Sequence, residues 1–274
     1  MADLIIGAAA GAISRTFTAP LELYKIQGQN RYMPYSTMSD TLRKEGWRGL
    51  WKGNLINCLR ISPQLAITFT VFNFSNANIF SRLPSEYQQY NSFLSGALGG
   101  SVSMATIYPL ENVRSRLTLQ TNNSHYNGIL DVFKRTSVRE LYAGLKMSII
   151  GFAPYTALSF GFYHTIKDTF AAKYDWTGSS AHLMSGGLSG MIALSIVYPT
   201  DLIRRRLQLQ GFDPSVPKYS GILDSVRKIF IREGIPGFYR GLIANYIKLF
   251  PTISIQFWTL DFLKNVRSTM LEEK

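Results

Sequence analysis

The sequence predicts an all-α membrane protein with six transmembrane helices in three pseudosymmetric repeats, plus short amphipathic helices on one side. Three observations predict this class: a recurring motif, helix-length apolar segments around it, and an uneven distribution of basic residues. The motif is a proline, any residue, an acid, two further residues and a base. Its copies begin at Pro20, Pro109 and Pro199, at intervals of 89 and 90 residues. A fixed interval of this size indicates a triplicated unit.

The repeat boundaries follow from this interval. The 274 residues divide into repeats 1–85, 86–176 and 177–274, which together form a single domain. Each repeat is predicted to contain an odd-numbered long helix, a short amphipathic segment and an even-numbered long helix.

The odd-numbered helices are predicted over residues 3–27, 91–119 and 181–209. Pairs of small residues spaced four apart permit close helix approach in lipid. Glycines occur 13 and 9 residues before each motif proline: Gly7 and Gly11, Gly96 and Gly100, Gly186 and Gly190. The motif acid and base share one helix face, and the proline bends the helix. Three such helices could therefore close a ring of ion pairs that acts as a gate.

The middle segments end in a pattern of acid, glycine, aromatic residue, base and glycine. The pattern from Glu45 to Gly53 recurs from Glu233 to Gly241, and a degenerate copy ends at Gly144. Short amphipathic segments with basic and aromatic residues suit a membrane interface with anionic headgroups. The segments around Gly53, Gly144 and Gly241 are therefore predicted to contact lipid.

The even-numbered helices are predicted over residues 54–75, 145–167 and 242–265, with prolines at Pro63, Pro154 and Pro251. Three residues before these prolines stand Arg60, Gly151 and Lys248, and a further cation, Arg15, precedes Pro20 by five residues. An ionisable residue within a membrane usually marks a functional site. Because the apolar parts of these helices contain no acid, we expect the cations to bind a polyanion rather than serve as counterions.

The glycine at position 151 suggests what accompanies the anion. It is expected to leave space for a flat group against the backbone, and Phe152 and Tyr155 could add stacking and apolar contact. Phosphate groups on the cations and a base on this side together describe a nucleotide.

Charge and rare residues exclude other classes. The net charge is +12, and twenty of the 29 basic residues lie in segments 25–53, 114–146 and 204–241. This distribution favours a positive-inside bias over nucleic-acid binding. The single cysteine, Cys58, allows no internal disulfide, and His125, His164 and His182 are isolated in the sequence. No metal, cofactor or nucleic-acid motif is present, so an enzyme is not expected.

The three motifs, with the acid-glycine pattern that follows them, resemble those of the mitochondrial carrier family over essentially the whole chain. The resemblance implies a monomer that alternates access between the cytosolic and matrix sides around one central site. It also implies a multi-pass protein of the mitochondrial inner membrane or a mitochondrion-related organelle. The short amphipathic helices would then face the matrix, and cardiolipin would bind at the Gly53, Gly144 and Gly241 segments.

The resemblance assigns the motif ring to a matrix gate. It implies three ion pairs, Glu22 with Arg114, Glu111 with Arg204, and Asp201 with Lys25. Bracing glutamines would stand at Gln29 and Gln208, whereas Thr118 occupies the third position and one brace is expected to be missing.

The cytosolic gate departs from the family pattern. The expected partners become Asn73 with Lys167, His164 with Lys264, and Asp261 with Asn76. Because no complete ion pair survives, we predict a weak cytosolic gate and a resting cavity that is open to the cytosol.

The substrate residues resemble those of the nucleotide-transporting branches, including ATP-Mg/phosphate, coenzyme A and ADP/ATP carriers. The contact points implied are Arg60 with Gln64 and Thr68, Gly151 with Phe152, and Lys248. Leu207-Gln208-Leu209 follows three arginines where the ordinary ADP/ATP exchanger has three methionines, so the standard exchanger is not expected. The expected function is adenine-nucleotide antiport of the ADP/ATP type; the alternative is transport of coenzyme A, thiamine pyrophosphate or phosphate.

Overall fold

The structure, a computed structural model, describes residues 2–30, 37–82, 84, 87, 91–120, 126–174, 178–211 and 216–272. Within these ranges every regular element is a helix. The predicted all-α class is therefore confirmed. His125 lies outside the described residues.

In the first repeat both long helices are interrupted. Helix α1 (Ala2–Phe17) is separated from α2 (Ala19–Gln29) by Thr18. Helix α3 (Met38–Glu45) and a 3-10 helix (Trp47–Trp51) follow. Helix α4 (Asn54–Leu59) is then separated by Arg60 from α5 (Ile61–Asn78), and a 3-10 helix (Phe80–Arg82) ends the repeat.

The prediction of continuous helices over 3–27 and 54–75 is wrong at Thr18 and Arg60. Pro20 and Pro63 stand two and three residues after these breaks. A proline has no backbone N–H to donate, but it is well tolerated in the first turn of a helix, where the N–H groups have no intrahelical partner. Each proline therefore lies in the first turn of a new helix.

The second and third repeats have long helices that run through their prolines. The second contains α6 (Asn91–Leu119), α7 (Ile129–Arg135), α8 (Val138–Leu141) and α9 (Leu145–Tyr174). The third contains α10 (Ser179–Leu209), α11 (Ile222–Glu233), a 3-10 helix (Ile235–Tyr239) and α12 (Leu242–Glu272). The second long helices of these repeats end at Tyr174 and Glu272, beyond the predicted ends at 167 and 265, because no glycine or proline interrupts the chain there.

The chain divides into two compact units. Unit 1 comprises Met1–Ala143, Gln208–Lys218 and Ile243–Lys274, and unit 2 comprises Gly144–Leu207 and Tyr219–Leu242. The core of unit 1 is built around Ile26, Ile56, Val113 and Val132, and that of unit 2 around Leu202, Ile203 and Ile229. Both cores lie near the Pro motifs and the middle segments.

Large apolar side chains are exposed along the last long helix of each repeat, which is α5, α9 or α12. Phe69, Phe74, Phe160, Ile247 and Trp258 are among them. Exposed apolar surface of this extent marks an interaction with lipid or protein. By length and composition alone, the stretches Trp47–Arg82 and Met184–Leu209 could cross a membrane.

The glycine pairs do not all serve close packing. A Cβ atom built at Gly7, Gly96 or Gly186 would meet no neighbouring atom, whereas one at Gly11 would lie 3.5 Å from Ile61. On α6, a Cβ built at Gly99 would lie 2.8 Å from the carbonyl oxygen of Thr68. In the second repeat a close helix contact therefore lies at Gly99, three residues after Gly96, a position that the glycine spacing did not select.

Candidate functional site

Lys248 and Arg114 both contact one carboxylate in unit 1. Lys248 Nζ donates to Glu22 Oε2, and Arg114 Nη2 lies 3.3 Å from Glu22 Oε1. Glu22 and Arg114 are buried, and their contact is the pair expected from the motif. A candidate substrate cation and a candidate gate base therefore share one acid.

Arg60 has an acidic neighbour as well. Its Nη1 lies 3.5 Å from Glu111 Oε2. The expectation that the cations have no counterions is therefore wrong, because helix packing in unit 1 brings motif acids of α2 and α6 to Lys248 and Arg60. The apolar segments themselves contain no acid, and the acids that contact these cations belong to the Pro motifs.

Arg15 is held by an asparagine that sequence reasoning did not select. Arg15 Nη1 donates to the backbone oxygen and to Oδ1 of Asn57, at 3.3 Å each. Arg60 Nε donates to the same Oδ1 at 3.3 Å. The signal that could have found Asn57 is its position three residues before a cation, which Asn245 repeats before Lys248.

The remaining candidates of α5 are engaged with their own helix and with α6. Thr68 Oγ1 donates to the Gln64 carbonyl at 2.8 Å, and Ser103 Oγ donates to the same oxygen at 3.0 Å. Both candidates are half-buried. Their role in substrate contact stays a prediction.

In unit 2 the space beside Gly151 is occupied. A Cβ built there would lie 2.4 Å from Thr200 Oγ1 and 3.6 Å from Val197. The expectation that this glycine leaves room for a flat group is therefore wrong, since the missing side chain permits α9 to approach α10. Phe152 is half-buried and Tyr155 is exposed, so either side chain can still offer an aromatic surface.

Of the other motif residues, Lys25 lies in unit 1, and Asp201 and Arg204 lie in unit 2. Arg204 Nη2 contacts Asp201 Oδ1 of its own helix at 3.0 Å. The expected pairs of Glu111 with Arg204 and of Asp201 with Lys25 each join the two units and stay predictions.

The bracing residues show different environments. Gln208 Nε2 donates to the Tyr108 hydroxyl at 3.0 Å, and Ser115 Oγ donates to Gln208 Oε1 at 3.4 Å. Gln29 is fully buried at the end of α2. Thr118 Oγ1 hydrogen-bonds to the Arg114 carbonyl at 2.8 Å, which a short side chain can do without leaving its own helix.

One of the three expected cytosolic pairs, Asn76 with Asp261, lies within unit 1. Asn76 Oδ1 accepts from Ser95 Oγ at 3.5 Å, and no hydrogen bond joins Asn76 to Asp261 in the described parts of unit 1. Asn73, Asp261 and Lys264 are exposed. The pairs of Asn73 with Lys167 and of His164 with Lys264 join different units and stay predictions.

One histidine has a partner that its sequence position did not suggest. The Tyr163 hydroxyl lies 2.7 Å from His182 Nδ1, and the Tyr163 ring packs edge-on against His164. This contact forms because α9 and α10 bring His182 beside Tyr163. Within the described residues, no cluster of three or more His, Cys, Asp or Glu side chains could hold a metal ion.

A family model and several curated relatives match this chain over most of its length. The sequence model of a family described as "Mitochondrial carrier protein" matches residues 1–82, 85–174 and 175–271. The mitochondrial adenine nucleotide transporter ADNT1 of Arabidopsis thaliana is 34% identical over 96% of this chain and 86% of its own. Solute carrier family 25 member 16 of Mus musculus is 32% identical over 96% and 87%, respectively. The mitochondrial adenyl nucleotide antiporter SLC25A24 of Danio rerio is 29% identical over 96% of this chain and 57% of its own.

Proposed function

The chain belongs to the mitochondrial carrier family, and we propose that it is an antiporter that exchanges adenine nucleotides of the ADP and ATP type by alternating access. The family consists of transporters, so the chain is a multi-pass membrane transporter rather than an enzyme. Its place is the mitochondrial inner membrane or that of a mitochondrion-related organelle. The resemblance stated from its motifs is confirmed.

The observation that carries the proposal is the group of cations in unit 1. Arg15, Arg60 and Lys248 lie on three helical segments, and the acids that contact Arg60 and Lys248 belong to the Pro motifs. Fixed cations in a low-dielectric site favour a polyanion, and Arg can hold phosphate with two parallel hydrogen bonds. The relatives named for adenine nucleotides support the choice of a nucleotide.

These contacts suggest how a substrate would act on the gate. A phosphate that reaches Lys248 competes with Glu22 for the ammonium group, and one that reaches Arg60 competes with Glu111. Glu22 also contacts Arg114. A phosphate that draws Lys248 away from Glu22 therefore changes the charge balance at this motif ion pair. A substrate that binds one access state more tightly shifts the population toward that state by its difference in affinity.

Two further features of the proposal concern lipid and assembly. Three glycines with positive φ stand directly before helices α4, α9 and α12: Gly53, Gly144 and Gly241. Backbone N–H groups at a helix start favour an anion, so we expect cardiolipin phosphates at these three places. We expect the protein to work as a monomer.

The first experiment is thermal unfolding of the detergent-purified protein with ADP, ATP, AMP, coenzyme A, thiamine pyrophosphate and phosphate. A ligand that binds the folded state raises the unfolding temperature by mass action. We expect ADP and ATP to stabilise the protein, and we expect Lys248→Ala and Arg60→Ala to lower nucleotide affinity and liposome exchange by about tenfold or more.

The control is Arg43→Ala, which removes the same charge from an exposed position on α3. It should retain full exchange. Normal exchange by Lys248→Ala and Arg60→Ala would contradict the site. Stabilisation by coenzyme A, thiamine pyrophosphate or phosphate alone would contradict adenine-nucleotide exchange and select the alternative.

A further inference from the structure

We propose that Asn57 is a positioning residue that holds Arg15 and Arg60 together as one clamp for two linked phosphates. The inference rests on the proposed function, in which these cations bind the phosphate groups of the substrate. It adds a residue that sequence reasoning did not select, and it sharpens the class of ligand.

Asn57 stands in the last turn of α4, directly before the break at Arg60, and only 5% of its surface is exposed. Its Oδ1 accepts from Arg15 Nη1 and from Arg60 Nε, each at 3.3 Å. Its backbone oxygen accepts from the same Arg15 nitrogen at 3.3 Å. One buried amide therefore connects the end of α1 to the junction of α4 and α5 and fixes two guanidinium groups around a single atom.

The acceptor between the two guanidinium groups is an amide oxygen rather than a carboxylate, and this affects how they can bind a ligand. Two guanidinium groups repel each other, and a carboxylate between them would offset the repulsion but would also cancel one charge. An amide oxygen offers only a partial negative charge, so it orients both groups without adding a second carboxylate to the Glu111 side chain that already contacts Arg60. A fixed pair of guanidinium groups matches two neighbouring phosphates better than a single one.

The repeats supply an internal comparison. Asn57 and Arg60 are three residues apart, so they share a helix face, as do Asn245 and Lys248 in the third repeat. The second repeat has Ser148 and Gly151 at these positions. Asn245 is also buried, yet no hydrogen bond joins it to Lys248 in the described residues of unit 1. Asn245 is therefore a matched control for the loss of a buried asparagine.

The test measures binding of inorganic pyrophosphate, ADP and AMP to the purified full chain and to three variants. Asn57→Ala should weaken pyrophosphate and ADP by about tenfold and AMP by much less, so the ratio of ADP to AMP affinity falls. Asn57→Asp is nearly the same size and should weaken pyrophosphate at least as much, because its carboxylate compensates one charge. Asn245→Ala should leave the ratio unchanged.

A merely structural role of Asn57 would lower the unfolding temperature of the ligand-free protein without changing that ratio, and this result would overturn the proposal. Equal effects of Asn57→Ala and Asn245→Ala would also overturn it. Should Asn57→Ala fail to fold, unchanged pyrophosphate affinity in Asn57→Asp would have the same meaning.

The two proposals fail in different ways. Asn57-dependent binding of pyrophosphate without binding of ADP or ATP would support the clamp and contradict adenine-nucleotide exchange. Binding of ADP that is equal in the wild type and in Asn57→Ala would contradict the clamp alone. A wild type that binds neither pyrophosphate nor nucleotide would overturn both.

Discussion

The first and third repeats share the acid-glycine pattern of the middle segment, yet they hold its glutamate differently. In the third repeat, Glu233 accepts from both Nη atoms of Arg206, with Nη2 at 2.9 Å, and its Oε2 lies 3.1 Å from Arg240 Nε. In the first repeat, Glu45 pairs with Lys52. Gln27, at the position of Arg206, donates instead to Thr41 Oγ1 at 3.0 Å.

The same sequence pattern therefore connects the middle segment to its long helix with unequal strength in the two repeats. A bidentate pair of arginine and carboxylate is stronger and more specific in direction than a pair with lysine. The second repeat lies between the two, since buried Arg116 bonds to the Tyr126 hydroxyl at 3.0 Å and lies 3.6 Å from Glu140. A middle segment of the first repeat should therefore detach from its long helix more readily than that of the third.

Removal of the Glu233 charge should have the largest effect. Glu233→Gln leaves Arg206 and Arg240 without their shared carboxylate in a buried site, which should lower the free energy of unfolding by about 3 kcal/mol. Thermal unfolding in detergent checks this, with a fall of about 2–4 °C expected for each kcal/mol. The matched change Glu45→Gln should cost about 1 kcal/mol. Equal costs would show that the two connections do not differ in strength.

The tyrosine before the motif proline offers a smaller test. The Tyr198 hydroxyl donates to the Arg240 carbonyl at 2.8 Å, whereas Tyr108 donates to Ala143 at 3.1 Å and also accepts from Gln208. The first repeat has Ala19 here. Tyr198→Phe should lower the free energy of unfolding by about 1 kcal/mol, and Tyr108→Phe by more, because it also leaves a buried amide donor without its acceptor. Chemical unfolding of both variants measures the difference. A smaller loss in Tyr108→Phe would be contrary to this account.

The smallest effect should be a dependence on pH in α11. A hydrogen bond from Lys228, then one from the Ser220 backbone N–H, lowers the pKa of the Asp224 carboxyl below its usual range. A lowered folded-state pKa gives stability that is present above the unfolded-state pKa of about 3.9 and is lost as the pH falls through the folded value. The gap in unfolding temperature between the wild type and Asp224→Asn should therefore be constant from about pH 7 to 5 and shrink below about pH 4.

Asp131 in α7 is the matched residue of the second repeat. The Asn127 backbone N–H and then Arg135 lower the pKa of its carboxyl. Asp131→Asn should show the same dependence on pH. In the first repeat, Asp40 instead accepts from Thr37 Oγ1 at 2.5 Å. If the difference in unfolding temperature between the wild type and either variant grew as the pH fell, the carboxyl pKa would be raised rather than lowered by folding. That result would contradict this account.

Much of the architecture could be predicted from sequence because its signals are local. The three motifs and their interval indicated the repeats, and the positions of the odd-numbered helices agree closely in the second and third repeats. The breaks at Thr18 and Arg60 could not be predicted, because Pro109 and Pro251 occur in equivalent places within continuous helices. Whether a proline bends a helix or begins a new one depends on the packing around it.

The sequence by itself determined the helical class, the three repeats, the family and the identity of the cations Arg15, Arg60 and Lys248. Only the tertiary structure decided which atoms these cations meet. It placed Glu22 and Glu111 beside two of them, put Asn57 between Arg15 and Arg60, and filled the space at Gly151 with Thr200. The physical reason is that periodicity along the chain reports which face of a helix is polar, whereas partners across helices depend on the register and rotation of whole elements.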